Sequence, residues 1–411
     1  MTSSTEMSAM LKKRITLASL GEKEWLVLLL WFGLSILGTA KEILDGNINN
    51  YLVFKHVFLH VCEQKPLYIS YPAEYQDVNL YGPIFSFIIA PFAWLPDKAG
   101  AMLWVIANAA FLFVAIRQLP LTRIQQNLIL LFSSNELLGA SSYLQFNQAI
   151  AACIILSFAL ILKGRNCWAA FFIVLGTLTK IYGIVGLAFF FFSDNRWRFI
   201  GSLLLWGLVL FLLPMLLSSP TYIIHSYKEW MEALSFKNEK NVHFEQGVLL
   251  QDISALGFIR RVFKLQHLNN LVVIIPAILL FLSQYLMLHW RHNSKFRLLL
   301  LCSTLLFPVL FSTSSESPTY IIAFPAICIW YMIQPATKWN NALFIFALIV
   351  CSFSHSDVFT PWVRHHIAVP YALKAFPCLL IWLIIIYQIL TKKFLPPVST
   401  HVAADTSALN T

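Results

Sequence analysis

Residues 26–39 read LVLLLWFGLSILGT and residues 378–389 read CLLIWLIIIYQI. Neither run carries a charge. The alternating strands of a membrane barrel would interrupt such runs with polar positions, so both read as helices. Comparable runs recur along the 411 residues, which are 58% hydrophobic and 12% charged. A soluble domain is about a quarter charged, and this composition leaves too little polar surface to cover a water-soluble particle. The chain therefore reads as an all-α polytopic membrane protein. At roughly 20 apolar residues per crossing, the length allows about ten full spans.

The net charge of +10 sits in short clusters between the apolar runs. They are Lys12, Lys13, Arg14 and Lys23; Arg117 and Arg123; Lys163 and Arg165; Arg196 and Arg198; Arg291, Lys295 and Arg297; Lys338; and Lys392 with Lys393. That distribution fits cytoplasmic loops. A nucleic-acid partner is not indicated, because no basic patch is interleaved with stacking aromatics. Met1–Gly21 lacks a signal-peptide cleavage pattern, so the first apolar run is expected to remain as a span with both termini cytoplasmic.

With the basic loops inside, six segments fall outside. These are Lys41–Gly82, Tyr143–Gln148, the turn near Lys180, Ser218–Asn270, Ser312–Pro318 and Ser354–Val369. The alternation holds if two segments are incomplete crossings. Pro83–Pro96 is about 14 residues, short for a span, and is expected to be re-entrant or interfacial. Cys167–Phe192 starts and ends at inside loops, and at about 1.5 Å per residue cannot hold two full spans. It reads as two half-helices meeting near Lys180, an arrangement tolerated only where it lines a protein cavity. Asn50–Cys62 and a stretch near Ile253–Leu265 are amphipathic and expected to lie on the membrane surface. One membrane domain over residues 1–395, with long outer loops at 41–82 and 218–270, is followed by a Ser/Thr/Ala-rich tail, 396–411, expected to be disordered and cytoplasmic.

Of seven Cys, only Cys62 lies in a long loop, and no disulfide framework or CxxC is visible. His56 and His60, at i and i+4 with Cys62 nearby, have metal-ligand spacing but no evident third ligand and apolar flanks, so no metal site is assigned. Asp45, Glu74 and Asp77 in the first outer loop are each compatible with a solvated loop acid or with a general base beside a low-dielectric cavity. Lys180, in GTLTKIYG, is an ionisable group between apolar segments. It fits either a point charge holding a lipid phosphate or a snorkelling lysine. The remaining outer polar groups are Gln145, Asn147 and Gln148; His243, Glu245, Gln246 and Asp252; Glu316 with Tyr320; and Asp357, Arg364, His365 and His366. Together they could form a polar cup able to hold a sugar. No Gly-rich phosphate loop, HExxH, nucleophile elbow or kinase signature is present, so a donor sugar would arrive on a lipid rather than a nucleotide.

Several ordered segments carry a family resemblance. They are KPLY (65–68), YPAEYQDVNLYGPIFSFIIAPFAWLP (71–96), LWVIANA (103–109), LQFNQAI (144–150), TKIYGIVG (179–186) followed by SDNRWR (193–198), SESPTYIIA (315–323) and PYALKAFPCLLIW (370–382). In order and spacing the chain resembles glycosyltransferase family 87, the polyprenyl-phosphate-mannose-dependent enzymes of the GT-C superfamily, in a Bacteroidetes-type branch. The resemblance implies an inverting transfer outside the cytoplasm, from a polyprenyl-phosphate hexose to a glycolipid or glycan acceptor among membrane lipids, with no metal or other cofactor. It implies a carboxylate base in the first outer loop and basic residues on the phosphate. Lys180 matches the family lysine and Gln148 a family glutamine, although the asparagine expected two residues later is Ile150. The family acid after the first span is replaced by Asn50, and an amide cannot act as a base. Asp77 is then the leading base and Asp45 the second, with Asn50, Gln148, Lys180, His243, Glu245 and Glu316 expected to contact substrate. A lipid-linked-sugar transporter or a catalytically inactive relative are the alternatives.

Overall fold

The computed structural model describes residues 19–242, 251–355 and 360–395. The tail 396–411 lies outside them. Of the described residues 76% are helical, and no strand occurs among them. Among the described residues, four helices are long and apolar enough to cross a membrane: α1 (Glu24–Asp45), α4 (Asp97–Arg117), α9 (Arg196–Leu216) and α12 (Asn270–Trp290). Six further apolar helices are 10–17 residues long: α6 (Asn147–Leu162), α7 (Asn166–Thr179), α8 (Ile181–Phe192), α14 (Ser317–Met332), α15 (Lys338–Phe353) and α16 (Ala375–Leu390). The expectation of ten full-length spans is thus met in length by four helices. Further helices are α2 (Asn49–Glu63), α3 (Phe85–Ala93), α5 (Arg123–Ser142), α10 (Pro220–Val242), α11 (Ala255–Val262) and α13 (Ser294–Leu310).

The α2 helix, expected on the membrane surface, is instead covered by protein, whereas the stretch near Ile253–Leu265 leaves Val262, Phe263 and Leu265 exposed. The apolar stripe of α2 (Val53, Phe54, Val57, Phe58, Val61) is buried, with α3 as its main neighbour and α4 beyond. Phe54 meets Tyr81 and Phe85 edge-on, each at 5.1 Å. Trp104 of α4 completes this aromatic knot at 5.8 Å from Phe54 and stacks on Phe146 at 5.3 Å. The α11 helix buries Ala255, Leu256 and Gly257 and packs against α16. Its entry is fixed by a buried pair, Arg260 to Asp252 at 2.8 Å, and by Ser254, whose hydroxyl caps the Gly257 N–H.

The α7–α8 pair forms the broken helix. Lys180 adopts an extended conformation, φ −146 and ψ 119, and so ends α7. The following α8 is a 3₁₀ helix of 12 residues, far beyond the usual 3–4. The two halves pack closely because both contact positions lack a side chain: a Cβ on Gly183 would lie 2.2 Å from the Gly176 carbonyl carbon. The first loop then docks on this turn through a backbone bond from Gly82 N to Thr179 O, 3.0 Å. A Cβ on Gly82 would lie 1.9 Å from the Leu178 carbonyl oxygen. Trp230 of α10 braces the same loop from outside, its indole N–H donating to Leu80 O at 2.9 Å.

A Gly82→Ala substitution forces two backbone segments apart and should cost about 1–3 kcal/mol, as overpacking typically does. Thermal unfolding in detergent should show a lower midpoint for it than for Gly201→Ala, whose added methyl meets nothing within 4 Å. Equal midpoints would show that the loop does not rest on the Lys180 turn as tightly as described.

Candidate active site

The ends of α5, α7 and α13, the starts of α8 and α12, and the first loop meet around a cavity of about 510 Å³. Five of the six segments that charge patterning groups together contribute to its wall. Asn50, Asp77 and Tyr81 come from the first, Tyr143 and Gln145 from the second, and Lys180 from the third. Lys237 and Asn238 come from the fourth, and Ser312 to Ser314 with Glu316 from the fifth.

Lys180 extends from the extended residue between α7 and α8. Its Nζ donates to Asn147 Oδ1 at 2.7 Å and lies 4.9 Å from the centre of the Tyr182 ring. Tyr182 in turn donates its hydroxyl to Ser312 Oγ at 2.7 Å, tying the turn to the α13–α14 loop. Glu316 sits in that loop, half-buried, with its N–H bonded to Thr319 Oγ1 at 3.1 Å. Burial pushes the Glu316 carboxyl up, Lys180 and Lys237 pull it back, and Asp77 adds to the rise. The same loop is fixed to α10 by Thr313, whose hydroxyl donates to Asn238 Oδ1 at 2.8 Å.

The three carboxylates of the first outer loop separate by environment. Glu74 accepts from the buried His60 ring at 2.7 Å, which makes it a structural partner. This also accounts for the His56–His60 spacing: His60 is committed to Glu74, Cys62 is exposed, and no metal-type cluster of three ligands occurs among the described residues. Asp45 ends α1 in an exposed position and is not among the residues lining the cavity. Asp77 lines the cavity and is exposed. Asn49 holds its backbone in place by accepting from Gln76 N at 2.7 Å.

Asn50 also lines the cavity, but its Nδ2 donates to Tyr143 O at 2.8 Å, so it joins α2 to the α5–α6 turn. Gln148 is fully buried one residue beyond Asn147, does not line the cavity, and neither of its side-chain polar atoms has a hydrogen-bond partner. His243, Glu245 and Asp357 lie outside the described residues. Sequence reasoning grouped Asn147 with its neighbours without pairing it to Lys180, and passed over Lys237, Tyr143 and Tyr182. Tyr182 stands in the TKIYG segment itself, so a signal was present there.

A second, apolar cavity of about 470 Å³ continues along the same helices. From Ile181 and Tyr182 in the first cavity, α8 runs on to Ile184, Leu187 and Phe191 in the second. Likewise α12 passes from Ile274 to Phe281, and the α13 end from Phe311 back to Phe307. A polar cavity carrying Lys180, Lys237, Asp77 and Glu316 thus lies next to an aliphatic and aromatic groove on three shared elements.

The family model for glycosyltransferase family 87 matches residues 79–313, more than half of the 411. The chain belongs to glycosyltransferase family 87. As a member it is a membrane glycosyltransferase. No curated protein matches it. Within this family 87 chain, Lys180 and Gln148 fall inside the matched stretch, whereas Asn50, Asp77 and Glu316 fall outside it.

Because its carboxyl is raised above the ordinary value of 4.5, folded Glu316 holds a proton that the unfolded chain has already released. Between 4.5 and the raised value, stability therefore falls as pH rises. Glu316→Gln should unfold at a higher temperature than the parent near pH 7, with the gap closing as pH approaches 4.5. A pH-independent gap would contradict the burial effect.

Proposed function

We propose that this enzyme transfers a hexose, mannose, from a polyprenyl-phosphate sugar to a glycolipid or glycan acceptor, with inversion, at the outer face of a bacterial inner membrane. Both termini are then cytoplasmic, with a single membrane domain, 1–395, followed by a cytoplasmic tail, 396–411. The observation that carries the donor class is the arrangement just described. A cavity holding Lys180 is followed, farther along α8, α12 and α13, by a groove with no charged lining residue. A sugar phosphate on a long isoprenoid chain has that division of polar head and apolar tail. A soluble nucleotide sugar has no use for the groove.

In this reading Lys180 holds the lipid phosphate as a point charge, and its low-dielectric surroundings strengthen the attraction. An acceptor hydroxyl attacks the anomeric carbon from the face opposite the phosphate. The new C–O bond forms as the bond to the phosphate oxygen breaks. The electron pair leaves on polyprenyl phosphate, where Lys180 stabilises the developing charge. The hydroxyl proton passes to a carboxylate. Asn50 cannot take it and is engaged with Tyr143. Asp77 lines the cavity from an exposed loop that an acceptor can reach, and it is the assigned base. Glu316 faces the sugar.

With radiolabelled polyprenyl-phosphate mannose and a membrane-lipid extract, Asp77→Asn should lose about 10²–10⁴-fold in transfer while donor binding persists. Lys180→Met should weaken donor binding by about 10–100-fold, the loss of a hydrogen bond to a charged group. Asp45→Asn should leave transfer intact. Undiminished transfer by Asp77→Asn would remove Asp77 as base, and donor affinity unchanged in Lys180→Met would remove the phosphate assignment.

A further inference from the structure

A third cavity, of about 710 Å³, shares Tyr143 and Glu316 with the Lys180 cavity and lies on their other side. We propose that it is the acceptor chamber: it takes the hydroxylated head of a glycan and presents one hydroxyl past Glu316 to the donor. This rests on the donor reading of the Lys180 cavity.

Its wall has a carbohydrate-binding character. Glu42, Asn135, Gln251, Ser142 and Ser317 place donors and acceptors of hydrogen bonds around it, and the aliphatic lining is limited to Leu138 and Pro318. A lipid tail would leave the remaining hydrogen-bonding positions of those groups unmet, which is costly. Three acidic groups, Glu42, Glu136 and Glu316, share the wall with Lys41, Arg364 and Lys374, so the chamber is not a simple anion site. Its volume is within the range of small-molecule sites and suits a short oligosaccharide.

The partition between the two cavities is rigid for an identifiable reason. Lys374, buried, donates to Glu136 Oε2 at 2.8 Å, to Ser317 Oγ at 3.1 Å and to Ser317 O at 3.3 Å. One ammonium therefore joins α5, the segment leading into α16, and the residue after Glu316. A buried pair of this kind strongly resists loss of either partner. None of its members is needed for the donor reading. What the strap secures is the position of Glu316, the one acidic residue common to both walls.

Gly139 supplies the test. It lines the chamber, and a Cβ there meets nothing within 4 Å, so a larger side chain can start from this position without displacing backbone. The probe is n-octyl α-mannopyranoside, titrated onto the full-length protein in lipid nanodiscs free of glycoside detergent. The parent should bind it saturably. Gly139→Phe should weaken binding by about tenfold or more, whereas Gly201→Phe, placed on an exposed position with equal space, should not. Gln251→Ala, which only shortens a lining side chain, should weaken binding several-fold and serves if Gly139→Phe misfolds. Lys180→Met should bind the glycoside as the parent does, so failure of the donor reading and failure of the chamber give different results. Absence of saturable binding in the parent, or full affinity in both Gly139→Phe and Gln251→Ala, would overturn the proposal.

Discussion

An ammonium group placed between two apolar half-helices has to be satisfied from its own surroundings, and much of this architecture meets that requirement at Lys180. An isolated charge in a low-dielectric interior is expensive. The break in the helix at Lys180 leaves the Thr179 carbonyl to accept from Gly82 N and turns the side chain into a cavity. Asn147 accepts from its Nζ, and the Tyr182 ring lies beside it. Gly176 and Gly183 allow the half-helices to touch, and Gly82 allows the first loop to close over their turn. Changing any of these would move Lys180 relative to Asp77 and Glu316.

The same economy governs the other buried charges. Asp252 is matched by Arg260, and Glu136 by Lys374, each at 2.8 Å. Both pairs anchor loops that border the cavities rather than the bundle interior. Ion pairs contribute little net stability when their desolvation is counted, but they fix geometry. The loops of a polytopic enzyme must hold substrate-binding groups without the support of lipid-facing packing. Here aromatic packing around Phe54 and Trp104 fixes the first loop, and ion pairs fix the later ones.

Much of this was legible from sequence where a single residue type carries a strong physical signal. Uncompensated charge in TKIYG marked Lys180, and the length of Cys167–Phe192 required a helical hairpin broken there. Basic-loop alternation grouped the segments that now surround two adjoining cavities. Discrimination among carboxylates was not legible, because it depends on partners far away in sequence. Glu74 is claimed by His60 from 14 residues earlier. Glu136 and Lys374 find each other across 238 positions. The amphipathic stripe of α2 correctly marked a helix, yet hydrophobic periodicity is the same whether lipid or protein covers it, so its burial against α3 and α4 could not be read. Gln148 looked like a site residue at a helix start, but a rotation of about 100° per residue turns it into the core while Asn147 meets Lys180.

The most direct test of this account is where the donor lipid lies. A polyprenyl-phosphate analogue with a photoreactive diazirine in its second isoprene unit can be cross-linked to the protein in nanodiscs and mapped by mass spectrometry. Labelling should concentrate on α8 and α12 around Ile184, Leu187 and Phe281, and both excess polyprenyl phosphate and the Lys180→Met substitution should suppress it. Labelling spread over the lipid-facing helices, and insensitive to Lys180, would contradict a donor site built on the broken helix.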